Sequence, residues 1–156
     1  MSKIVSETEK TLNNMIISAI DKAVSTGALP DAEKPEFIIE KPADKKNGDF
    51  STNAAMAGAR SYHKAPRMIA EAIVSNMDFE GTLIDRAETA GPGFINFYLS
   101  DRYYSKIVED AVEQGENYGK SDYGKGKRML VEFVSANPTG PMHIGNARGG
   151  AIGDCL

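Results

Sequence analysis

An apolar run, Met129-Leu130-Val131-Glu132-Phe133-Val134, leads into a loop with two prolines and a glycine, Ser135 to Met142, and then into a helix start at His143-Ile144-Gly145-Asn146. Strand, loop and helix N-terminus in that order suit a nucleoside triphosphate. The first turn of a helix offers unpaired N–H groups and the positive end of its dipole to phosphate oxygens. An imidazole there can donate to a phosphate as charge builds in a transition state, and a glycine one turn along lets adenine approach the backbone. Pro138 and Pro141 fix the loop, so little ordering entropy is lost on binding. An accidental turn ahead of a core helix explains the run poorly, because so many consecutive residues fit the first reading.

The elements needed to carry such a loop can be traced backwards along the chain. Asn117 to Lys127 holds three glycines, three lysines and two tyrosines without periodicity and reads as a linker spanning 116–127, with one domain over 1–115 and another beginning at 128. Within the first domain, Leu12, Met15, Ile16, Ala19, Ile20, Ala23 and Val24 recur at steps of three and four and form one apolar helix face, stopped by Gly27 and Pro30. Phe37-Ile38-Ile39 reads as a strand ended by Pro42. Asp49 or Ser51 is placed to cap a helix over Thr52 to Arg60, and Pro66 opens another through Met77. Leu83 to Glu88 and Phe94 to Leu99 read as two strands joined by a turn at Gly91-Pro92-Gly93. Ser100 or Asp101 begins a final helix through Gln114, with Tyr104, Ile107, Val108, Ala111 and Val112 inward and Gly115 as its stop.

The expected first domain is therefore α+β, in the order αβααββα, with a small antiparallel-containing sheet packed on helices. On its last strand, alternation puts Phe94, Asn96 and Tyr98 on one face and Ile95, Phe97 and Leu99 on the other. The second set is the more apolar, so it is expected inside and the first set outside. His63, beside Lys64 at a helix junction, reads as solvated.

Charge and composition narrow the possibilities further. A formal charge of −4 argues against a protein that grips nucleic acid by bulk electrostatics. The balance is uneven, however: residues 1–118 carry −6 and residues 119–156 carry +2, so the basic excess lies with the candidate phosphate loop. The longest apolar stretches fall far short of the roughly 20 residues needed to cross a bilayer, and the N-terminus lacks the apolar run of a secretory signal. With Cys155 the lone cysteine, neither a disulfide nor a cysteine-based metal cluster is available, which agrees with a reducing, cytoplasmic setting.

Taken together, Val131 to Asp154, reading VEFVSANPTGPMHIGNARGGAIGD, resembles the catalytic signature of the arginyl-tRNA synthetases. Residues 1–115 are similar to the additional N-terminal domain of bacterial members, with a Gly48-Asp49-Phe50 helix entry and a Gly91-Pro92-Gly93-Phe94-Ile95-Asn96-Phe97 strand. The resemblance covers essentially all of the sequence. It implies a class I ligase that activates arginine with ATP, Mg²⁺ arriving with the nucleotide, and then charges tRNA(Arg). It also implies that residues 128–156 are the truncated first β-loop-α of a Rossmann-like catalytic domain.

Carried over residue by residue, the resemblance gives Glu132 the substrate guanidinium as a partner, and Ser135 and Asn137 the polar head of arginine. Pro141, His143, Gly145 and Asn146 would form the ATP site, with His143 and Asn146 taking the catalytic positions. Asn146 stands where the family's His-X-Gly-His signature has its second histidine, and an amide keeps hydrogen-bonding capacity without charge. Phe94 and Asn96, with Tyr98 beyond, match the positions that contact the D-loop of tRNA, where an extruded base can stack on a ring and be read by an amide. Arg86, Arg102 and Lys106 are candidate phosphate contacts.

Further expectations concern the chain as a whole. One strand and half a helix cannot form a nucleotide crevice, so the chain alone is expected to be inactive. The full-length protein is expected to be a monomer without membrane attachment. The exposed strand 129–134 is a candidate for self-association. Two other classes remain open at this level: a free-standing RNA-binding module, and a nucleotidyltransferase or another class I synthetase with a similar loop.

Overall fold

The computed structural model describes residues 3–122, 124–134 and 140–155. Helix α1, Lys3–Ser25, turns its apolar stripe inward, burying Leu12, Ile16, Ala19, Ile20 and Ala23. Gly27 ends it at φ +74°, in the left-handed region that glycine tolerates. The following strand is shorter than expected. Only Ile39–Glu40 forms β1, because the Ile38 N–H donates to Asn53 Oδ1 at 3.0 Å and its carbonyl accepts from Thr52 Oγ1 at 2.7 Å, so side chains replace a backbone ladder there.

The main departure lies at Phe50–Thr52. The expected helix over Thr52 to Arg60 is instead a buried strand, β2 (Phe50–Thr52), followed by two single helical turns, α2 (Ala54–Ala57) and α3 (Ala59–Tyr62). Neither Asp49 nor Ser51 caps a helix. Asp49 accepts from the Leu99 N–H at 2.8 Å and from the Tyr104 hydroxyl at 3.2 Å, which ties the β2 entry to the end of the last strand. The helical segment breaks at Gly58, where the Tyr62 ring leaves no room for a side chain: a Cβ there would sit 2.7 Å from a ring carbon.

Pro66 opens α4, Pro66–Ser75, at its first turn, where a missing N–H costs nothing. Strands β3 (Ile84–Ala90) and β4 (Phe94–Leu99) form a hairpin around Gly91–Gly93. The sheet is antiparallel throughout, in the order β1-β2-β4-β3. Ile95 and Phe97 of β4 and Phe50 of β2 join α1 and α4 side chains in one core.

Helix α5, Asp101–Gln114, follows Ser100 and stops at Gly115 with φ +51°. Its inward side is only partly the expected one. Tyr103 is buried and Ile107 and Ala111 are half-buried, whereas Tyr104, Val108 and Val112 are exposed.

The chain divides into two compact units, Met1–Gly119 and Lys120–Leu156. In the second, the expected strand Met129–Val134 is extended but joins no ladder, and its side chains are largely exposed, Leu130 at 98%. A strand needs a backbone partner, and none is present among the described residues. The segment packs instead on helix α6, Ile144–Asp154, where the Phe133 ring occupies the place of a side chain at Gly153, and Gly149 and Gly150 face the Phe133 carbonyl and Val134. No helix among the described residues is long and apolar enough to cross a membrane.

Candidate nucleic-acid interface and nucleotide loop

The helices cover one face of the sheet, and the segment between β1 and β2 bends over the other. Asp44 caps a 3₁₀ turn at Lys45–Asn47 by accepting from the Lys46 N–H, and Gly48 then returns the chain at φ +83° with its α-carbon against β4. The Tyr98 hydroxyl donates to the Lys46 carbonyl at 3.3 Å, and the Asp49 N–H to the Phe97 carbonyl at 2.8 Å. Beneath this loop lies a cleft of about 340 Å³ lined by residues that include Glu40, Asn47, Ser51, Phe94 and Asn96.

The pleat places Phe94, Asn96 and Tyr98 on the side opposite Ile95 and Phe97, as alternation requires. The expectation that all three are exposed needs correction at Asn96. It is only 5% exposed, because Ser51 across the strand pair and the overlying loop enclose it. The Ser51 hydroxyl donates to its Oδ1 at 2.8 Å. Phe94 is half-buried at the edge of the same cleft. Tyr98 lies further along the strand, with the Arg86 guanidinium 3.8 Å from its ring centroid, so one face of that ring is already covered.

Arg86 also holds Glu88 at 2.8 Å and Asp85 at 3.1 Å. Its hydrogen bond keeps the Glu88 carboxyl below the ordinary range, while burial, and then the Glu88 charge, push the Tyr98 hydroxyl up. A depressed carboxylate contributes stability that is present above its unfolded pKa and lost as pH falls through the folded value. An NMR titration is expected to place the Glu88 midpoint below the ordinary value of about 4.3. Arg86→Ala should return it toward that value.

The candidate phosphate contacts change accordingly. Arg86 is engaged as described, and Lys106 pairs with Asp110 at 2.9 Å. Lys45 and Lys46, on the turn between the cleft-lining residues Ala43 and Asn47, have no carboxylate partner among the described residues. Sequence reasoning missed them, together with Ser51 and Glu40. The only local signal was a polar turn with two adjacent lysines.

In the second unit, His143 is the N-cap of α6. Its Nδ1 accepts the Gly145 N–H at 3.1 Å, and the Asn146 Oδ1 accepts the His143 N–H at 3.1 Å, a reciprocal capping box. An accepting Nδ1 puts the proton of a neutral ring on Nε2, which is left as a donor. A Cβ at Gly145 would lie 2.9 Å from the imidazole, so a larger residue there would push the His143 ring aside. Pro141 lies in an exposed segment before the cap, and Glu132 is exposed on the extended run. Ser135 and Asn137 lie outside the described residues. Among the described residues no group of three or more His, Cys, Asp or Glu is arranged to hold a metal ion.

Comparison with known proteins places this architecture. The family described as the arginyl tRNA synthetase N terminal domain matches residues 10–99. Arginine–tRNA ligases of Acetivibrio thermocellus and Ruminiclostridium cellulolyticum are each 50% identical over all 156 residues, and that of Listeria welshimeri is 49% identical over 98% of the chain. The chain spans about 28% of the length of the first two. The crystal structure of arginyl-tRNA synthetase from Plasmodium falciparum superimposes with a TM-score of 0.56 at 23% identity, over 94% of this chain and 27% of that one, a likeness of fold. With more than half of its residues matched by that family and half of them identical in those two ligases, the chain belongs to the arginyl-tRNA synthetase N-terminal domain family.

Proposed function

We propose that this chain is the tRNA-contacting and nucleotide-loop portion of an arginine–tRNA ligase, a protein that activates arginine with ATP and transfers it to tRNA(Arg). The observation that carries this reading is the cleft: an aromatic edge at Phe94 and a buried amide at Asn96, with Lys45 and Lys46 on the turn that leads into its lining residue Asn47. An RNA loop offers the complement, namely an extruded base to stack and pair and phosphates to meet the lysines. The overall negative charge makes the contact local.

The second unit contributes to catalysis in the longer protein. His143 donates from Nε2 to the ATP phosphates, Gly145 and Pro141 shape the approach, and Asn146 holds the cap. Glu132 receives the arginine guanidinium, while Ser135 and Asn137 bind its polar head. Mg²⁺ enters with ATP as part of the substrate. The remaining strands of a Rossmann-like domain belong to the rest of the ligase, so the 156-residue chain is expected to bind tRNA without activating arginine.

The test is tRNA binding by the chain, followed in parallel with arginine-dependent ATP–pyrophosphate exchange by the longer protein. Phe94→Ala is expected to weaken binding by about 5- to 150-fold, the range for removing one ring on which a base stacks. Lys45→Ala with Lys46→Ala should lower the slope of log K against log salt by roughly 0.7 for each phosphate that is no longer neutralised. Lys106→Ala, whose charge is already paired, should change little. Binding indifferent to Phe94 and Asn96 would move the RNA site off this cleft. Absence of arginine-dependent exchange in the longer protein, with tRNA present, would favour a free-standing RNA-binding module.

A further inference from the structure

Ser51 and Asn96 are directly opposed on the central strands β2 and β4, and both are nearly sealed, at 6% and 5% exposure. Burying two polar side chains in a sheet is costly unless their hydrogen bonds are made. The Ser51 hydroxyl donates to Asn96 Oδ1 at 2.8 Å, and that oxygen is its one acceptor among the described residues. If the carboxamide turned over, its N–H₂ would donate to the serine oxygen, and the hydroxyl would have to turn its proton away from Asn96 toward the cleft that Ser51 and Glu40 line.

Donation by the Ser51 hydroxyl to Oδ1 thus sets which way round the amide lies. Its nitrogen has no protein partner among the described residues and belongs to a side chain lining the cleft, so the floor presents a fixed pair of donors. Glu40, across from Ser51 in the β1–β2 register, lines the same cleft and supplies an acceptor.

We infer that Ser51 is a specificity-determining positioning residue: by locking the Asn96 carboxamide it makes the cleft read a nucleobase through a ring nitrogen or carbonyl oxygen turned toward Asn96. The inference rests on the RNA reading given above. An amide free to rotate would accept either a donor or an acceptor at that point and would discriminate little, since the turn about its last bond is soft. Ser51 touches no base in this arrangement. It sets which atom of Asn96 does.

The experiment uses the chain and tRNA(Arg) transcripts carrying each of the four bases at the loop position that the chain protects from chemical modification. The wild-type chain is expected to separate the best from the worst base by about tenfold or more. Ser51→Ala should bring that ratio toward one while leaving affinity for the worst base nearly unchanged. Ser51→Thr, which keeps the hydroxyl, should restore it. Asn96→Asp, which offers only acceptors, should reverse the ranking.

Melting curves for each variant separate these effects from loss of fold. Where Ser51→Ala fails to fold, Asn96→Asp decides: a reversed ranking supports the inference and an unchanged one overturns it. A folded Ser51→Ala chain with the wild-type ratio overturns the role of Ser51 alone, provided Asn96→Ala flattens the ratio. If Asn96→Ala also keeps the wild-type ratio, the reading of the cleft as the base site fails, and the inference fails with it.

Discussion

Replacing Gly48 with alanine is expected to lower the melting temperature of the chain by more than about 10 °C and to weaken its tRNA binding as the loop over the cleft is displaced. Two costs coincide at this residue. Its φ of +83° with ψ of −168° lies in a region open essentially to glycine alone, worth about 1–3 kcal/mol for any other residue. A Cβ there would also stand 2.5 Å from the Phe97 carbonyl oxygen, a backbone atom that accepts from Asp49 and cannot rotate aside. Relief requires shifting β4 or lifting the loop that roofs the cleft. Against a typical domain stability of about 5–15 kcal/mol, the sum is a large fraction. Gly81 is the control: its φ is +73°, but no atom lies within 4 Å of an added Cβ, so Gly81→Ala should show the conformational cost alone. Equal melting points for the two variants would refute the steric contribution at Gly48.

The second large effect belongs to the longer protein. His143→Ala is expected to reduce ATP–pyrophosphate exchange by roughly 10²–10³-fold in kcat, the usual loss for one donor aimed at developing charge. The KM for ATP should change less, since the donor acts most strongly in the transition state. Asn146→Ala should cost much less. Its carboxamide accepts the His143 N–H at 3.1 Å, a capping interaction worth about 1 kcal/mol, or up to roughly tenfold when passed on to the imidazole. Asn146→Asp keeps that acceptor and favours the helix dipole, yet adds charge beside the phosphates, so it should cap well and catalyse poorly. A deficit in Asn146→Ala equal to that of His143→Ala would mean that Asn146 touches the substrate directly.

These two sites differ in how much of them is legible without coordinates. The nucleotide loop is local: His143, Gly145 and Asn146 fall within four residues, and helix capping rules dictate their contacts once the helix starts there. The apolar stripe of α1, the limits of β4 and the glycine stops after α1 and α5 were equally readable, because each depends on period or on a single backbone conformation. Strand β2 was not. Three residues carry no period, and Phe50-Ser51-Thr52 becomes a strand only because β4, more than 40 residues later, supplies its partners. Helix α5 shows the same limit in another form. Tyr103, Ile107 and Ala111 share one helix face, and Tyr104, Val108 and Val112 share its neighbour at the same spacing, so the pattern alone does not choose which turns inward.

The sequence by itself therefore determined the family resemblance, the helix start at His143 and which β4 residues share a face, since these follow from spacing along one segment. The tertiary structure alone decided that Asn96 is enclosed instead of open, that the Ser51 hydroxyl donates to its amide, that Arg86 is already paired, and that the turn bearing Lys45 and Lys46 leads into the cleft. Each of those facts joins residues on different strands or on the loop above them. Strand pairing and burial are set by the packing of the whole unit, and no local pattern carries that information.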